Sequence, residues 1–286
     1  MTFYKKMLIK RNLGDSMSKK LKILSHLTEK HTYARHAILI DPADQTPDVA
    51  AKRCLAAVNA GSSMILIGGS SDTDTNNVDS TVIAIKEMLE LVTWAKTQDS
   101  MDSEDMTIPV VLFPQGATAL SSSADAVTFM MLMNSTSSRY LIEEQVAGAP
   151  HIKRSKIEPL PMGYLVCAPG GKVGEVGKAK LIQKDETKRI QAYALTAEYY
   201  GFKLLYLEAG SGASEPVNPE LIKSAREACE LTIIVGGGIR DGQTAKKAVA
   251  AGADWIITGN LAEEYDDSDE LQRVLTQFIE EMNGRF

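Results

Sequence analysis

Short apolar runs recur along this chain, and polar or glycine-rich residues and then a stretch with helical spacing follow each of them. Runs that are apolar at nearly every position are typical of parallel strands buried on both faces. The pattern predicts eight strands, at 37–40, 64–67, 109–113, 126–132, 163–167, 204–207, 232–235 and 255–257.

Helical segments fill the gaps between these strands. The predicted helices span 50–60, 82–96, 187–200, 219–228 and 243–251. Eight strand–helix units in about 250 residues fit an α/β fold of the (β/α)8 type, the TIM barrel. A doubly wound open sheet is the alternative. We favour the barrel because the strand count is eight and because no GxGxxG motif follows the first strand.

The residues before the first strand predict an extension of the barrel. We divide the chain into an N-terminal extension, 1–36, formed by a leader and a helix, and a barrel domain, 37–286. The helix is expected at 21–30, where it could cover the bottom of the barrel.

The end of the sixth strand carries the first candidate chemistry. The segment LLYLEAGSGA, 204–213, runs from an apolar strand into Glu208 and then into the turn Gly210-Ser211-Gly212. A buried strand end is a costly place for a carboxylate unless the carboxylate is paired or takes part in chemistry. We interpret Glu208 as a general base beside an anion-binding turn; a salt bridge to Arg240 or Lys203 is the structural alternative.

Two more glycine turns follow, Gly237-Gly238 and Gly259-Asn260, each at the end of an apolar run. The loops after strands seven and eight commonly hold a phosphate group in this fold. Glycine has no Cβ to keep an anion away from backbone N–H groups. The sequence therefore predicts a phosphate site built from three loops, although tight strand-to-helix turns alone would also need glycine.

Asp41 closes the first strand, and Ser70 follows the second. A lone carboxylate suits Mg²⁺, whose other ligands would be waters, a hydroxyl and substrate phosphate oxygens. Capping of two turns explains both residues equally well. The nearby acidic residues Asp72, Asp74 and Asp79 are more typical of a solvated loop.

Five segments resemble the geranylgeranylglyceryl phosphate synthase family, in order and across 37–286, and the chain is more similar to the second group of that family than to the first. They are LIDP at 39–42, IGGSSDT at 67–73, YLEAGSGA at 206–213, IVGGGIRDGQTAKKAVAAGAD at 234–254 and ITGN at 257–260.

This resemblance implies a phosphoglycerol geranylgeranyltransferase, which joins sn-glycerol 1-phosphate to geranylgeranyl diphosphate and makes the first ether bond of archaeal membrane lipids. It implies that Glu208 is the base at the attacking hydroxyl and that Asp41 and Ser70 lie at the Mg²⁺ site. It further implies that glycerol 1-phosphate is held by Tyr206, Leu207, Glu208, Ala209, Gly210, Ser211, Gly212, Gly237, Gly238, Gly259 and Asn260.

The prenyl chain needs a long apolar trough, which residues of strands three and four could line, including Met130, Met131 and Met133. Barrel core is the simpler explanation for most of these residues. The segment 139–149 is a candidate cover. Twenty carbons is the family default, and a longer donor is the alternative. The resemblance also implies a homo-oligomer.

Composition removes several other classes of function. The formal net charge of −6 argues against a nucleic-acid binder. No apolar run approaches the roughly 18–20 residues of a membrane span, so we expect at most peripheral membrane contact. Three distant cysteines suggest neither a disulfide framework nor a zinc site, and they favour a cytoplasmic protein. The main functional alternative is a phosphosugar isomerase or aldolase, which would need a second acid or base, or a Schiff-base lysine, at a strand end.

Overall fold

The computed structural model describes residues 22–69, 72–99 and 108–284. Within these ranges eight parallel strands follow one another around a closed barrel, and the last strand pairs with the first. The predicted TIM barrel is confirmed. The strands are β1 (Arg35–Ile40), β2 (Met64–Ile67), β3 (Val110–Leu112), β4 (Ala126–Leu132), β5 (Glu158–Val166), β6 (Leu204–Glu208), β7 (Thr232–Gly236) and β8 (Trp255–Thr258).

The helices surround this barrel and cover its lower end. They are α1 (Ile23–Thr28), α2 (Pro47–Asn59), α3 (Thr75–Asp99), a π-helix (Arg139–Glu143), α4 (Glu144–Ser155), α5 (Gly171–Val176), α6 (Thr187–Tyr199), α7 (Pro219–Ala228), α8 (Gly242–Ala250), α9 (Asn260–Glu263) and α10 (Ser268–Met282). Among the described residues, no helix has both the length and the apolar character to cross a bilayer.

Strand periodicity decides which side chains reach the interior of the barrel. Successive side chains of a strand point to opposite faces. In β6, Leu204 and Tyr206 therefore belong to the core inside the barrel, whereas Leu205 and Leu207 pack under the helices. Glu208, two residues beyond Tyr206, consequently faces inward at the end of the strand.

Two helices begin earlier than their apolar spacing predicts, because polar capping residues define where each helix starts. Thr46 accepts a hydrogen bond from the N–H of Val49, and Pro47 occupies the first turn of α2. Asp74 accepts from the N–H groups of Asn76 and Asn77 at the start of α3. The polar first turns of α3 carry no apolar period, which explains the predicted start at 82.

The predicted bounds of β5 were wrong. The strand begins at Glu158, five residues before the predicted 163, and contains Pro159 and Pro161. Proline lacks the N–H that a strand ladder uses, so it is unusual inside a strand. Leu160 and Met162 nevertheless fill the barrel interior, and the two prolines lie at the alternate, more exposed positions.

Helix α1 closes the bottom of the barrel. The Glu158 carboxylate accepts from the N–H groups of Ile23 and Leu24, at 2.9 and 3.1 Å. Trp255 donates its indole N–H to the carbonyl of Leu27. Arg35 donates to the carbonyls of His26, Leu27 and Glu29 and lies over the Trp255 ring. The predicted helical cover is confirmed, whereas residues 1–21 of the predicted extension lie outside the described residues and the division at 36/37 stays a prediction.

Candidate active site

One cavity opens at the C-terminal ends of the strands. It encloses about 1610 Å³, counted out to the solvent at its mouth. It divides into a polar part, above β6 to β8, and an apolar part, beside β3 and β4.

Three aromatic rings lie against one another in the lining of the cavity. The ring centroid of Tyr206 is 5.2 Å from that of Tyr164 and 5.4 Å from that of Phe113, and the remaining pair is 5.8 Å apart. Aromatic rings at such distances contact edge to face or in a tilted arrangement. We call these three residues the aromatic floor. They come from β5, β6 and the end of β3.

Glu208 lies beyond this floor and is 6 % exposed. Its Oε1 atom accepts a hydrogen bond from the N–H of Gly210 at 2.6 Å, and the Tyr206 hydroxyl also bonds to the carboxylate. Burial raises the pKa of Glu208 to about 7, against the effect of these hydrogen bonds. Within the described part of the chain no ion pair joins Glu208 to Arg240 or Lys203. The salt-bridge alternative is therefore wrong.

Glycine at two positions allows the loops to meet at this carboxylate. Gly237 has φ 80°, and a Cβ atom there would lie 2.1 Å from Glu208 Oε1. Gly210 has φ 110°, and its Cβ would lie 2.6 Å from the carbonyl group of Gly170. A side chain at either position would strain the backbone and push the two loops apart.

Asn260 joins the loop after β8 to the loop after β6. Its Oδ1 atom accepts from the N–H of Gly212 at 2.9 Å and from Ser211 Oγ at 3.2 Å, and its Nδ2 atom donates to Glu263. The structure thus brings the three predicted loops together. The predicted residues that line the cavity are Tyr206, Glu208, Ser211, Gly212, Gly237, Gly238, Gly259 and Asn260.

The side chains of Leu207 and Ala209 do not line the cavity, and the assignment of these residues to glycerol 1-phosphate stays a prediction. Both pack in the core between the barrel and the helices. The N–H of Ala209 already donates to the carbonyl of Gly236, and its carbonyl accepts from Gly170. Gly210 shapes the turn without itself lining the cavity.

Asp41 lines the same cavity, across from β6. Its Oδ1 atom accepts from the N–H of Ala43 at 2.9 Å, and Gly69 leaves room beside the carboxylate that a Cβ atom would fill. Burial raises the pKa of Asp41 to about 6, and the charges of Asp44 and Glu263 add to that effect. Ser70 lies outside the described residues, so its place beside Asp41 stays a prediction.

The donor set around Asp41 fits a magnesium ion that the substrate helps to hold. Among the described residues no three His, Cys, Asp or Glu side chains come close enough to hold a metal by themselves. Mg²⁺ commonly takes one or two carboxylates and completes its shell with water and phosphate oxygens. Asp41 offers one hard oxygen donor, and the absence of a side chain at Gly69 leaves room beside it.

The acidic loop after β2 has a structural explanation. Asp74 caps α3, and Asp79 accepts from the hydroxyls of Ser121 and Ser123. The exposed Asp74 fits the interpretation of a solvated loop, whereas Asp79 lies on α3 and links that helix to the segment before β4.

The apolar part of the cavity runs beneath the π-helix and α4. Its lining includes Leu120, Val127, Phe129, Met130, Tyr140 and Ile152. Met130 lies where the sequence predicts, whereas Met131 and Met133 do not line the cavity. The predicted cover, 139–149, is the π-helix and the first half of α4.

A hydrogen-bonded clasp, which the sequence interpretation missed, closes the edge of this apolar part. Glu144 accepts from the N–H of Ala117 at 2.7 Å and from Arg139 Nε at 2.6 Å. Arg139 and Glu144 are five residues apart, which is the spacing of one π-helical turn. That spacing is the signal that could have identified the pair.

Comparison with known proteins gives concordant relatives. The profile of the PcrB family matches residues 28–279. Geranylgeranylglyceryl phosphate synthase of Methanosarcina mazei is 47 % identical over 233 residues, which cover 81 % of this chain and 87 % of that protein.

Two solved structures from Thermoplasma extend this similarity to three dimensions. Wild-type GGGPS from Thermoplasma volcanium superposes with a TM-score of 0.82 at 38 % identity, covering 92 % of this chain and 98 % of its own. The second is the (S)-3-O-geranylgeranylglyceryl phosphate synthase of Thermoplasma acidophilum in complex with its substrate sn-glycerol-1-phosphate. It superposes with a TM-score of 0.81 at 36 % identity, covering 94 % of this chain and 100 % of its own.

Proposed function

Because this chain belongs to the PcrB family, we propose that its barrel is a phosphoglycerol geranylgeranyltransferase. It joins sn-glycerol 1-phosphate to geranylgeranyl diphosphate and yields 3-O-geranylgeranylglyceryl 1-phosphate and diphosphate. One observation carries the proposal: a buried carboxylate, Glu208, lies between three glycine loops in a cavity whose other end is apolar. A base, an anion site and an apolar trough are the three features this reaction needs.

The three loops would hold the phosphate of glycerol 1-phosphate. Backbone N–H groups that no Cβ atom shields are good donors to phosphate oxygens. Arg240 lines the cavity and adds positive charge near these loops. Held there, the glycerol C3 hydroxyl would point at Glu208, and fixed orientation is itself a large part of the rate enhancement in a two-substrate reaction.

Glu208 would act as the general base. The oxygen of the C3 hydroxyl bonds to C1 of the prenyl chain, the bond from C1 to the diphosphate oxygen breaks, and the hydroxyl proton passes to the Glu208 carboxylate. A pKa of about 7 suits a base that works near neutral pH. The carboxylate charge also favours the positive charge that develops on the allylic carbon.

We further propose that Asp41, together with Ser70, holds the Mg²⁺ ion that binds the diphosphate. When bound, Mg²⁺ neutralises charge on the diphosphate and makes it a better leaving group. Asp41 and Glu208 line the same cavity from β1 and β6, which are not neighbours in the barrel, and the reacting carbon would lie between them.

The prenyl chain would lie in the apolar part of the cavity, beneath the π-helix and α4. The aliphatic and aromatic lining there favours burial of hydrocarbon, at about 0.8 kcal/mol for each CH₂ group. We propose a C20 donor, with a longer donor as the alternative.

The experiment that tests this function is incubation of the purified protein with glycerol 1-phosphate, geranylgeranyl diphosphate and Mg²⁺. We expect an ether product, detected by mass spectrometry, that EDTA abolishes. sn-Glycerol 3-phosphate is the matched control for the shape of the phosphate pocket and should react far more slowly. Absence of ether product over a range of pH and Mg²⁺ concentrations would refute the proposal.

A phosphosugar isomerase or aldolase has less support. A Schiff-base mechanism needs a lysine in the cavity, and the described residues that line it include no lysine. The three cysteines are buried and unpaired, which agrees with the cytoplasmic location that we propose. Assembly of several copies and contact with a lipid surface stay predictions.

A further inference from the structure

A buried polar link lies behind the loop that carries Asn260. His36, on β1, places Nδ1 2.8 Å from Ser62 Oγ and Nε2 2.9 Å from Thr258 Oγ1. All three side chains are almost completely buried. Both imidazole nitrogens are therefore paired inside an otherwise apolar wall, and buried polar groups paired in this way fix a unique geometry.

The imidazole of His36 is neutral at working pH, because burial lowers its pKa to about 3. One ring nitrogen then donates a hydrogen bond and the other accepts one, and each hydroxyl takes the complementary role. The carbonyl of His36 accepts from the N–H of Ser63 at 2.9 Å. The residue is thus held through its backbone as well as through Ser62, and it can serve as a fixed point for Thr258.

Thr258 is the last residue of β8, and only Gly259 separates it from Asn260. Asn260 in turn accepts from the N–H of Gly212 and from the hydroxyl of Ser211. Hydrogen bonds therefore fix the turn after β8 on two sides, below through Thr258 and above through Asn260.

We propose that His36 is a positioning residue for the phosphate loops: through Thr258 it fixes the end of β8 and so holds Asn260 against the loop after β6. The proposal rests on the assignment of glycerol 1-phosphate to these loops. A simple packing role, in which His36 only fills space beside Phe278, is the competing explanation.

Two substitutions of His36 separate these explanations. The amide nitrogen of glutamine can occupy the place of Nε2, and that of asparagine the place of Nδ1. His36→Gln therefore keeps the bond to Thr258, whereas His36→Asn keeps the bond to Ser62 and loses the bond to Thr258. We expect calorimetry to show that His36→Asn weakens glycerol 1-phosphate binding about tenfold and His36→Gln by less than about threefold.

A second pair of variants tests the same link from its other end. Thr258→Ser keeps the hydroxyl and should bind glycerol 1-phosphate nearly as well as the wild type. Thr258→Val has almost the same shape without the hydroxyl and should bind about tenfold more weakly. Thr81→Val is the matched control, because the Thr81 hydroxyl is buried on α3 without a hydrogen-bond partner.

Hydrogen exchange of the backbone amides at 259–262 supplies a readout that does not depend on the substrate. We expect faster exchange there in His36→Asn and Thr258→Val than in His36→Gln and Thr258→Ser. If the members of each pair bind and exchange alike, the positioning role is wrong. A wild-type protein that does not bind glycerol 1-phosphate refutes the assigned substrate, and the exchange rates then still decide the role of His36.

Discussion

Glu208 is the proposed base, and its buried carboxylate also lowers the free energy of unfolding when it is ionised. Its carboxylate is buried at the end of β6, where burial raises its pKa from 4.5 to about 7. The folded state therefore binds the proton more tightly than the unfolded chain does. This tighter proton binding stabilises the folded state. The contribution is fully present below about pH 4.5, and it is lost as the pH rises through about 7. The ionised carboxylate that the proposed base role requires therefore destabilises the fold above about pH 7.

Glu208→Gln should lose most turnover and gain stability. The neutral amide cannot accept the hydroxyl proton, but it avoids the cost of a buried charge, which is at most about 3 kcal/mol for this shift in pKa. We expect urea unfolding to show a higher free energy of unfolding than the wild type at pH 8 and little difference at pH 4.5. Retained turnover would remove Glu208 from the role of base.

Tyr206 tunes the same carboxylate. Its hydroxyl hydrogen-bonds to Glu208 and lowers the pKa of that group. Tyr206→Phe should therefore move the acidic limb of the profile of kcat/KM against pH upward by about 0.5–1 pH unit. Tyr164→Phe is the matched control, since its ring packs against Tyr206. Equal shifts in both variants would show that the hydroxyl of Tyr206 has no special role.

The proposed role of Asp41 as a Mg²⁺ ligand can be tested by the dependence of activity on the Mg²⁺ concentration. Asp41→Asn removes a charged oxygen ligand, so the Mg²⁺ concentration for half-maximal activity should rise at least about tenfold. Binding of glycerol 1-phosphate, measured by calorimetry without metal, should change little. Asp44→Asn removes a nearby charge in the same cavity and should have a much smaller effect on the Mg²⁺ requirement. An unchanged Mg²⁺ requirement in Asp41→Asn would count against the metal site.

At the scale of elements, the sequence predicts the strands better than the helices. Seven of the eight predicted strands begin and end within two residues of the observed ones. Burial on both faces leaves a continuous apolar signal in the sequence, which explains this agreement. The prolines of β5 concealed its first half. The glycine turns predicted the meeting of three loops, yet the sequence could not show that Leu207 and Ala209 face the helices, since that depends on which face of β6 is turned inward.

The clasp of Arg139 and Glu144 tests how the π-helix contributes to substrate choice. Glu144→Gln removes the ion pair and weakens the link to the loop after β3. We expect the KM for the prenyl diphosphate to rise by about three- to tenfold, with glycerol 1-phosphate affinity unchanged. The neighbouring, exposed Glu143 gives the control variant Glu143→Gln, which should behave as the wild type. A matched change in the affinity for both substrates would contradict a role confined to the prenyl trough.

At the scale of the whole molecule, the two ends of the barrel have different tasks. Helix α1 closes the lower end through Arg35, Glu158 and Trp255, which bond to its backbone. The loops at the upper end carry Asp41, Glu208 and the glycine turns. The residues that close the lower end are therefore distinct from those proposed for the chemistry, and we expect sequence changes at the lower end to leave Asp41 and Glu208 in place.

The aromatic floor has a kinetic consequence. Because Phe113, Tyr164 and Tyr206 pack closely at the base of the cavity, we expect the product to leave by the mouth through which both substrates enter. Moving the proposed C20 tail from the cavity into water costs about 0.8 kcal/mol for each CH₂ group. Product escape, rather than ether formation, should then limit steady-state turnover.

Rapid-quench measurements should accordingly show a first turnover faster than all later ones. Lipid vesicles should accelerate the later turnovers by accepting the product, without changing the size of the initial burst. Polyethylene glycol at equal mass is the control for crowding. A strictly linear time course from the first turnover would show that release is fast. If release is slow, we expect the steady-state rate to depend on a lipid bilayer that accepts each finished ether lipid.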